Sequence, residues 1–166
     1  MAILRVGSDG RLHHGGAGYR CALGRGGVRG DKKEGDGATP LGLYPLRRLL
    51  YRGDRLPAPI SRLPTSGIHP TDGWCDDPRD DAYNRAVTLP YNASAETMWR
   101  DDGLYDLVVI LGHNDDPVVP GRGSAVFMHV ASPDYGPTEG CIALAQADLL
   151  TILRDLDGNS EILIEI

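Results

Sequence analysis

The chain has 166 residues, enough for one domain that buries roughly 70% of the surface its unfolded form exposes. Seventeen basic against 23 acidic side chains give a net charge of −6, which argues against a nucleic-acid partner. Gly (22) and Pro (12) make up about a fifth of the chain against an average near 12%, which excludes an all-helical bundle, and 41% hydrophobic residues exclude disorder.

Residues 2–6 (AILRV) and 11–13 (RLH) flank Ser8-Asp9-Gly10 and predict a hairpin. Residues 17–23 predict a third strand. Residues 24–40 (GRGGVRGDKKEGDGATP) carry too much glycine and charge for a core element and read as a loop, with Lys32-Lys33-Glu34 as an exposed charged turn. An extended segment resumes at 43–51. From 53 to 81 the chain is irregular and holds five prolines. A long loop of this kind inside a compact domain is usually functional or mobile, and Trp74-Cys75-Asp76-Asp77 reads either as part of a lid or as a satellite core. Ser94 to Thr97 (SAET) resembles a helix start.

The strongest strands are 105–111 (YDLVVIL) and 124–130 (SAVFMHV). The unbroken apolar run Val108–Leu111 predicts a strand buried on both faces. Residues 145–156 form the one clear helix, with Leu149, Leu150, Ile152, Leu153 and Leu156 on a stripe and Asp157-Gly158 as its stop. Residues 160–166 close as a strand. The expected architecture is mostly β with few helices, a single domain over 1–166. No apolar run approaches the ~18 residues of a membrane span, and no basic segment followed by an apolar one marks a signal peptide. The three cysteines, Cys21, Cys75 and Cys141, are odd in number and lack a CxxC pair, so neither a disulfide framework nor a zinc knuckle is indicated.

Chemistry concentrates at the end of the 124–130 strand. His129 is followed, twelve positions later, by Cys141 in Thr138-Glu139-Gly140-Cys141. A thiolate is a nucleophile and imidazole accepts a proton near neutral pH, so a Cys and a His joined by a short rigid loop suffice for covalent acyl transfer. Gly140, without a Cβ, lets the chain turn tightly and aim N–H groups at an oxyanion. A small buried cysteine and a satisfied core histidine are the bland alternative.

Three further features align with this segment. Thr138-Glu139-Gly140-Cys141-Ile142 resembles the [S/T]-H-G-C-[I/V] signature of the L,D-transpeptidase (YkuD-like) catalytic domain family. His129 stands where that family places its histidine, and Thr39-Pro40-Leu41-Gly42-Leu43-Tyr44 is similar to its TPxGxF segment. The resemblance implies a β-sandwich-like domain acting on peptidoglycan stem peptides as donor and acceptor. Cys141 would form an acyl-enzyme at an L-to-D bond, His129 would take its proton, and a diaminopimelate amine would resolve the thioester. It implies no cofactor and no metal, a monomer, and a periplasmic place of action.

Two departures mark this chain: Glu139 stands where the family carries His, and Ala143 where it usually carries Arg. Together with the short His129–Cys141 loop they lean toward the branch of the family, in alpha- and betaproteobacteria, that links L-Ala to diaminopimelate (1,3-type) in place of 3,3-type crosslinks. With Arg absent at Ala143, Arg122 between Gly121 and Gly123 is the candidate carboxylate binder, because its fork suits bidentate contacts. Asn114, Ser124, Thr138 and Glu139 are the other candidate substrate contacts, Asn114 competing with a plain turn in His113-Asn114-Asp115-Asp116. The alternatives are a cysteine peptidase or amidase that uses water as acceptor, a metal site of His113, His129 and Cys141, and an inactive cell-wall binding module.

Overall fold

The computed structural model describes residues 2–166. Its strands are β1 (Ile3–Gly7), β2 (Arg11–His14), β3 (Ala17–Ala22), β4 (Val28–Arg29), β5 (Thr39–Pro40), β6 (Gly42–Tyr51), β7 (Thr65–Gly67), β8 (Asp72–Cys75), β9 (Ala86–Thr88) and β10 (Ala95–Thr97). Then follow β11 (Leu107–Leu111), β12 (Phe127–Val130), β13 (Ile142–Leu144), the helix α1 (Gln146–Leu153) and β14 (Glu161–Glu165).

The main sheet runs β11-β12-β13-β3-β2-β1-β14-β6-β7, and β6 also pairs with β11. That extra ladder joins the two sides of the sheet, so eight strands close on themselves and β7 is an appendage. The mostly β composition with one helix is as expected. The sandwich-like arrangement is corrected to a closed, barrel-like sheet, because ten-residue β6 is long enough to pair with β14 through its first half and β11 through its second. Closure removes two edges that would otherwise need protection.

Side-chain alternation then decides what lies inside. Leu4, Val6, Leu12, Leu46, Leu49, Leu107, Val109, Leu111, Met128, Ile142, Leu144, Ile162 and Ile164 form one buried cluster. Helix α1 adds Leu149, Ile152 and Leu153 to it, and the turn beyond it adds Leu156. Truncating any of these leucines to alanine costs about 2–5 kcal/mol.

β11 is buried along its whole length. Leu107, Val109 and Leu111 face the barrel interior, whereas Val108 and Ile110 belong to a second cluster with Ile68, Met98, Tyr105, Phe127 and Cys141. This outer cluster is roofed by a three-stranded sheet of order β10-β8-β9. The helix start expected at Ser94 is in fact strand β10, whose Glu96 lies opposite Trp74 of β8. Cross-strand pairing overrides a capping signature that lacked its glutamate. The irregular 53–81 segment likewise contributes β7 and β8, strands of three and four residues that few residues of periodicity can announce.

Candidate active site

β12 and β13 run parallel, with Met128 opposite Ile142 and His129 opposite Ala143. Alternation sends Met128, Ile142 and Leu144 into the barrel. Phe127, His129, Cys141 and Ala143 therefore share the outer face, under the small sheet. Cys141 and His129 are two positions apart across adjacent strands, and both line one cavity of about 450 Å³.

Cys141 is 8% exposed. Its thiol donates to the carbonyl of Ala125 at 3.2 Å, and its sulfur accepts the N–H of Phe127 at 3.4 Å. Burial, then the Glu96 charge, push the thiol up to about 12, against a smaller pull from the Phe127 N–H, Lys32 and Arg100. His129 is 6% exposed, and burial holds its imidazole below the usual histidine value. Its Nδ1 lies 2.9 Å from the carbonyl oxygen of Val130. A carbonyl can only accept, so this contact assigns the proton of the neutral ring to Nδ1 and leaves the lone pair on Nε2. The ring of Tyr105 meets His129 edge-on at 5.2 Å, and Trp74 and Tyr105 meet Phe127 the same way at 5.1 and 5.9 Å.

The turn before Cys141 is held locally. Thr138 Oγ1 accepts the N–H of Gly140 at 3.1 Å and donates to the carbonyl of Cys141 at 2.7 Å. Gly140 has φ +135°, and a Cβ there would lie 2.7 Å from the carbonyl oxygen of Ala38. The glycine is required by this close approach of the 24–40 loop. The expectation that the Gly140 N–H points at an oxyanion is corrected: Thr138 takes it.

Glu139, whose side chain is 78% exposed, turns outward and pairs with Arg25 at 2.9 Å. Glu139 and Thr138 both line the cavity of Cys141, Glu139 at its exposed rim with its carboxylate engaged by Arg25. Ser124 lines the cavity, with its hydroxyl donated to Glu34 Oε1 at 2.6 Å. Arg122 and Asn114 are not brought to Cys141; they line a neighbouring cavity of about 380 Å³. Asn114, at φ +51°, donates to the carbonyls of Val119 and Gly123 and accepts the N–H of Val119, so its amide closes its own loop. His113 also faces that second cavity. Among the described residues no group of three His, Cys, Asp or Glu side chains could hold a metal ion, so the His113–His129–Cys141 metal site is not assembled.

Several cavity residues escaped the sequence reading. Lys32 is 7% exposed in its side chain and pairs with Asp36 at 2.8 Å, which helps hold that carboxyl down to about 2. Its Nζ would lie 3.5 Å from a Cβ on Gly140. The exposed charged turn expected there is thus folded inward, because residues 23–25 bond to Thr138 through the Thr138 N–H to Leu23 O and Arg25 N–H to Thr138 O. Glu34, Glu96, Arg100 and Asp76 also line the cavity. Asp76 belongs to the Trp74–Asp77 stretch that read as part of a lid or a satellite core, and Lys32 and Glu34 to the charged turn; Glu96 and Arg100 carried no signal as site residues.

A cysteine and a histidine thus share one outer barrel face and one cavity, roofed by a small sheet. The family profile of the L,D-transpeptidase catalytic domain (YkuD) matches residues 8–164, nearly the whole chain. The chain belongs to this family. No curated protein matches it. Two solved structures of the helical cell shape determining protein Pgp2 from Campylobacter jejuni, one a point mutant, are similar at 19% identity and a TM-score of 0.41. The match covers 99% of this chain and 47% and 46% of theirs, so the chain spans about half the length of those proteins.

Proposed function

We propose that this protein is a peptidoglycan L,D-transpeptidase, acting as one catalytic domain outside the cytoplasmic membrane. The observation that carries the reading is the shared outer face of β12 and β13, which opens Cys141 and a His129 with Nε2 unprotonated onto one cavity.

At rest the thiol is neutral. Burial raises the Cys141 thiol far above and lowers the His129 imidazole below their ordinary values, so proton transfer between them at rest is strongly uphill. Ionisation is therefore coupled to attack: sulfur bonds the donor carbonyl carbon as His129 Nε2 takes the proton. His129 then passes that proton to the departing amine, leaving a thioester on Cys141. Negative charge on the carbonyl oxygen is met by Lys32 beside Gly140, and by the amide of Cys141. An amine of a second stem peptide attacks the thioester and closes the crosslink.

Ala143 leaves the floor beside His129 small, and Arg100 supplies a cation from the roof. This altered placement supports the L-Ala–diaminopimelate (1,3-type) crosslink as product. Incubation with purified muropeptides, followed by mass identification, tests the reading. A 1,3-linked dimer is the expected product. Hydrolysed monomers alone would make the protein a peptidase, and unchanged muropeptides would overturn the assignment.

A further inference from the structure

Acyl transfer to an amine leaves one proton without a recipient in the Cys141–His129 pair. During acylation the thiol proton moves through His129 to the leaving amine, and the count closes. The acceptor, however, arrives as an ammonium ion, since alkyl amines titrate near 10.4. It loses one proton to expose its lone pair and a second on becoming an amide. One of these reprotonates the departing Cys141 sulfur through His129. The other needs a second base.

The roof of the cavity carries one. Glu96 of β10 lines the same cavity as Cys141 and His129. Its Oε1 accepts the Tyr105 hydroxyl at 2.8 Å, and the Tyr105 ring packs against His129. Glu96 is thus tied through a single side chain to the base it would complement. Asp76, just beyond β8, lines the cavity too, and its Oδ1 is buried with no hydrogen-bond partner. A buried carboxylate oxygen without a donor costs free energy that an incoming ammonium would offset. The charged and titratable groups that face Glu96 are Asp76, Glu34, Arg100, Tyr105 and Cys141.

We infer that Glu96 is the base that deprotonates the acceptor ammonium, with Asp76 holding that ammonium beside the thioester. The inference rests on the transferase reading of Cys141. In the step, the ammonium gives a proton to the Glu96 carboxylate and becomes a neutral amine. The nitrogen lone pair forms the C–N bond at the thioester carbonyl. The C–S bond breaks with its electron pair on sulfur, and the second nitrogen proton reaches sulfur by way of His129. Glu96 then releases its proton to water. Burial pushes the Glu96 carboxyl up to about 7, so near neutral pH it can both take and release that proton.

The test uses the full chain, with acyl-enzyme formed on Cys141 from a donor muropeptide and followed by mass. It is resolved with a diaminopimelate-containing stem or with hydroxylamine, which is already neutral at pH 7. In Glu96→Gln the ratio of stem transfer to hydroxylamine transfer is expected to fall 10²–10⁴-fold, the usual loss of a general base. A structural role would slow both acceptors alike and leave the ratio unchanged, which overturns the inference. Should the variant not fold, the parent protein answers the same question. Stem transfer should rise with pH through a limb near 7 that hydroxylamine transfer lacks, and superimposable profiles overturn the inference. A parent that forms no acyl-enzyme on Cys141 refutes the transferase reading itself, a result distinct from either.

Discussion

The Cys141 thiol donates to the carbonyl of Ala125, a residue held at φ +54° by its own N–H on Asn84 Oδ1 at 3.0 Å. Cys141 therefore rests as a thiol hydrogen-bonded to the backbone. With its pKa pushed from 9.0 up to about 12, its thiolate fraction at pH 7 is smaller by about three orders of magnitude. Alkylation by a small neutral reagent should be slow at pH 7 and climb about tenfold per pH unit through pH 9 without a plateau. A plateau below pH 8 would show a resting thiolate.

Cys141 should be the only essential thiol. Cys21, also pushed up to about 12, sits in β3 and packs in the barrel core, and Cys75 closes β8 in the roof. Cys141→Ala is expected to abolish product from muropeptides, whereas Cys21→Ala and Cys75→Ala keep most of it. Turnover in Cys141→Ala would end the covalent mechanism.

His129→Ala should leave a folded protein that transfers 10²–10⁴-fold more slowly. Because burial depresses the His129 pKa, neutral imidazole persists below pH 6.5, and the acid limb of the acylation step in the parent should lie under that value. If acylation in the variant matches the parent across pH 6 to 9, His129 is not the base.

Glu96 ties stability to pH in a definite direction. Its carboxyl titrates near 4.5 when free and near 7 in the fold, raised chiefly by burial. The folded state binds this proton more tightly. Its stabilising contribution is complete below pH 4.5 and is lost as pH rises to 7. Glu96→Gln should therefore gain stability over the parent across that window and hold the gain above it, by about 3 kcal/mol at most. Thermal unfolding at pH 4, 6 and 8 reads the difference, and a gain that is the same at all three would remove the titration from the account.

The double burial of β11 was legible because an unbroken apolar run has no polar face to offer water, and the structure supplies a barrel interior on one side and a roof on the other. Cys141 and His129 were legible because both sit on contiguous local sequence, a strand end and a glycine turn. Lys32 and Glu96 were not. Lys32 reaches the site because the 24–40 loop docks on Thr138 and Gly140, a contact over a hundred residues away in sequence. Glu96 reaches it because a three-residue strand pairs with another short strand, and neither is long enough to declare a period.

On the proposed function, the cation available to a substrate carboxylate is set by placement in the fold and not by placement in sequence. Arg122 is near His129 along the chain, but it opens on the neighbouring cavity, beyond the loop that Asn114 fastens. Arg100, which follows β10, lines the cavity of Cys141 with its guanidinium 5.1 Å from the Tyr105 ring centre and paired to Asp102. Asp102 fixes the fork without burying it, since the Arg100 side chain remains 38% exposed. A hydrogen bond to a charged group is worth about 1.5–3 kcal/mol, or roughly 10- to 100-fold in binding. Arg100→Ala should raise KM for a stem peptide by that factor while alkylation of Cys141 by a neutral reagent changes little. Arg100→Lys should recover only a small part, because a point charge does not copy a bidentate fork. Arg122→Ala should stay within about twofold of the parent on the same peptide. Were the two alanine variants to exchange these outcomes, the carboxylate would be bound from the second cavity, and the donor would have to cross the wall formed by Lys32, which lines both.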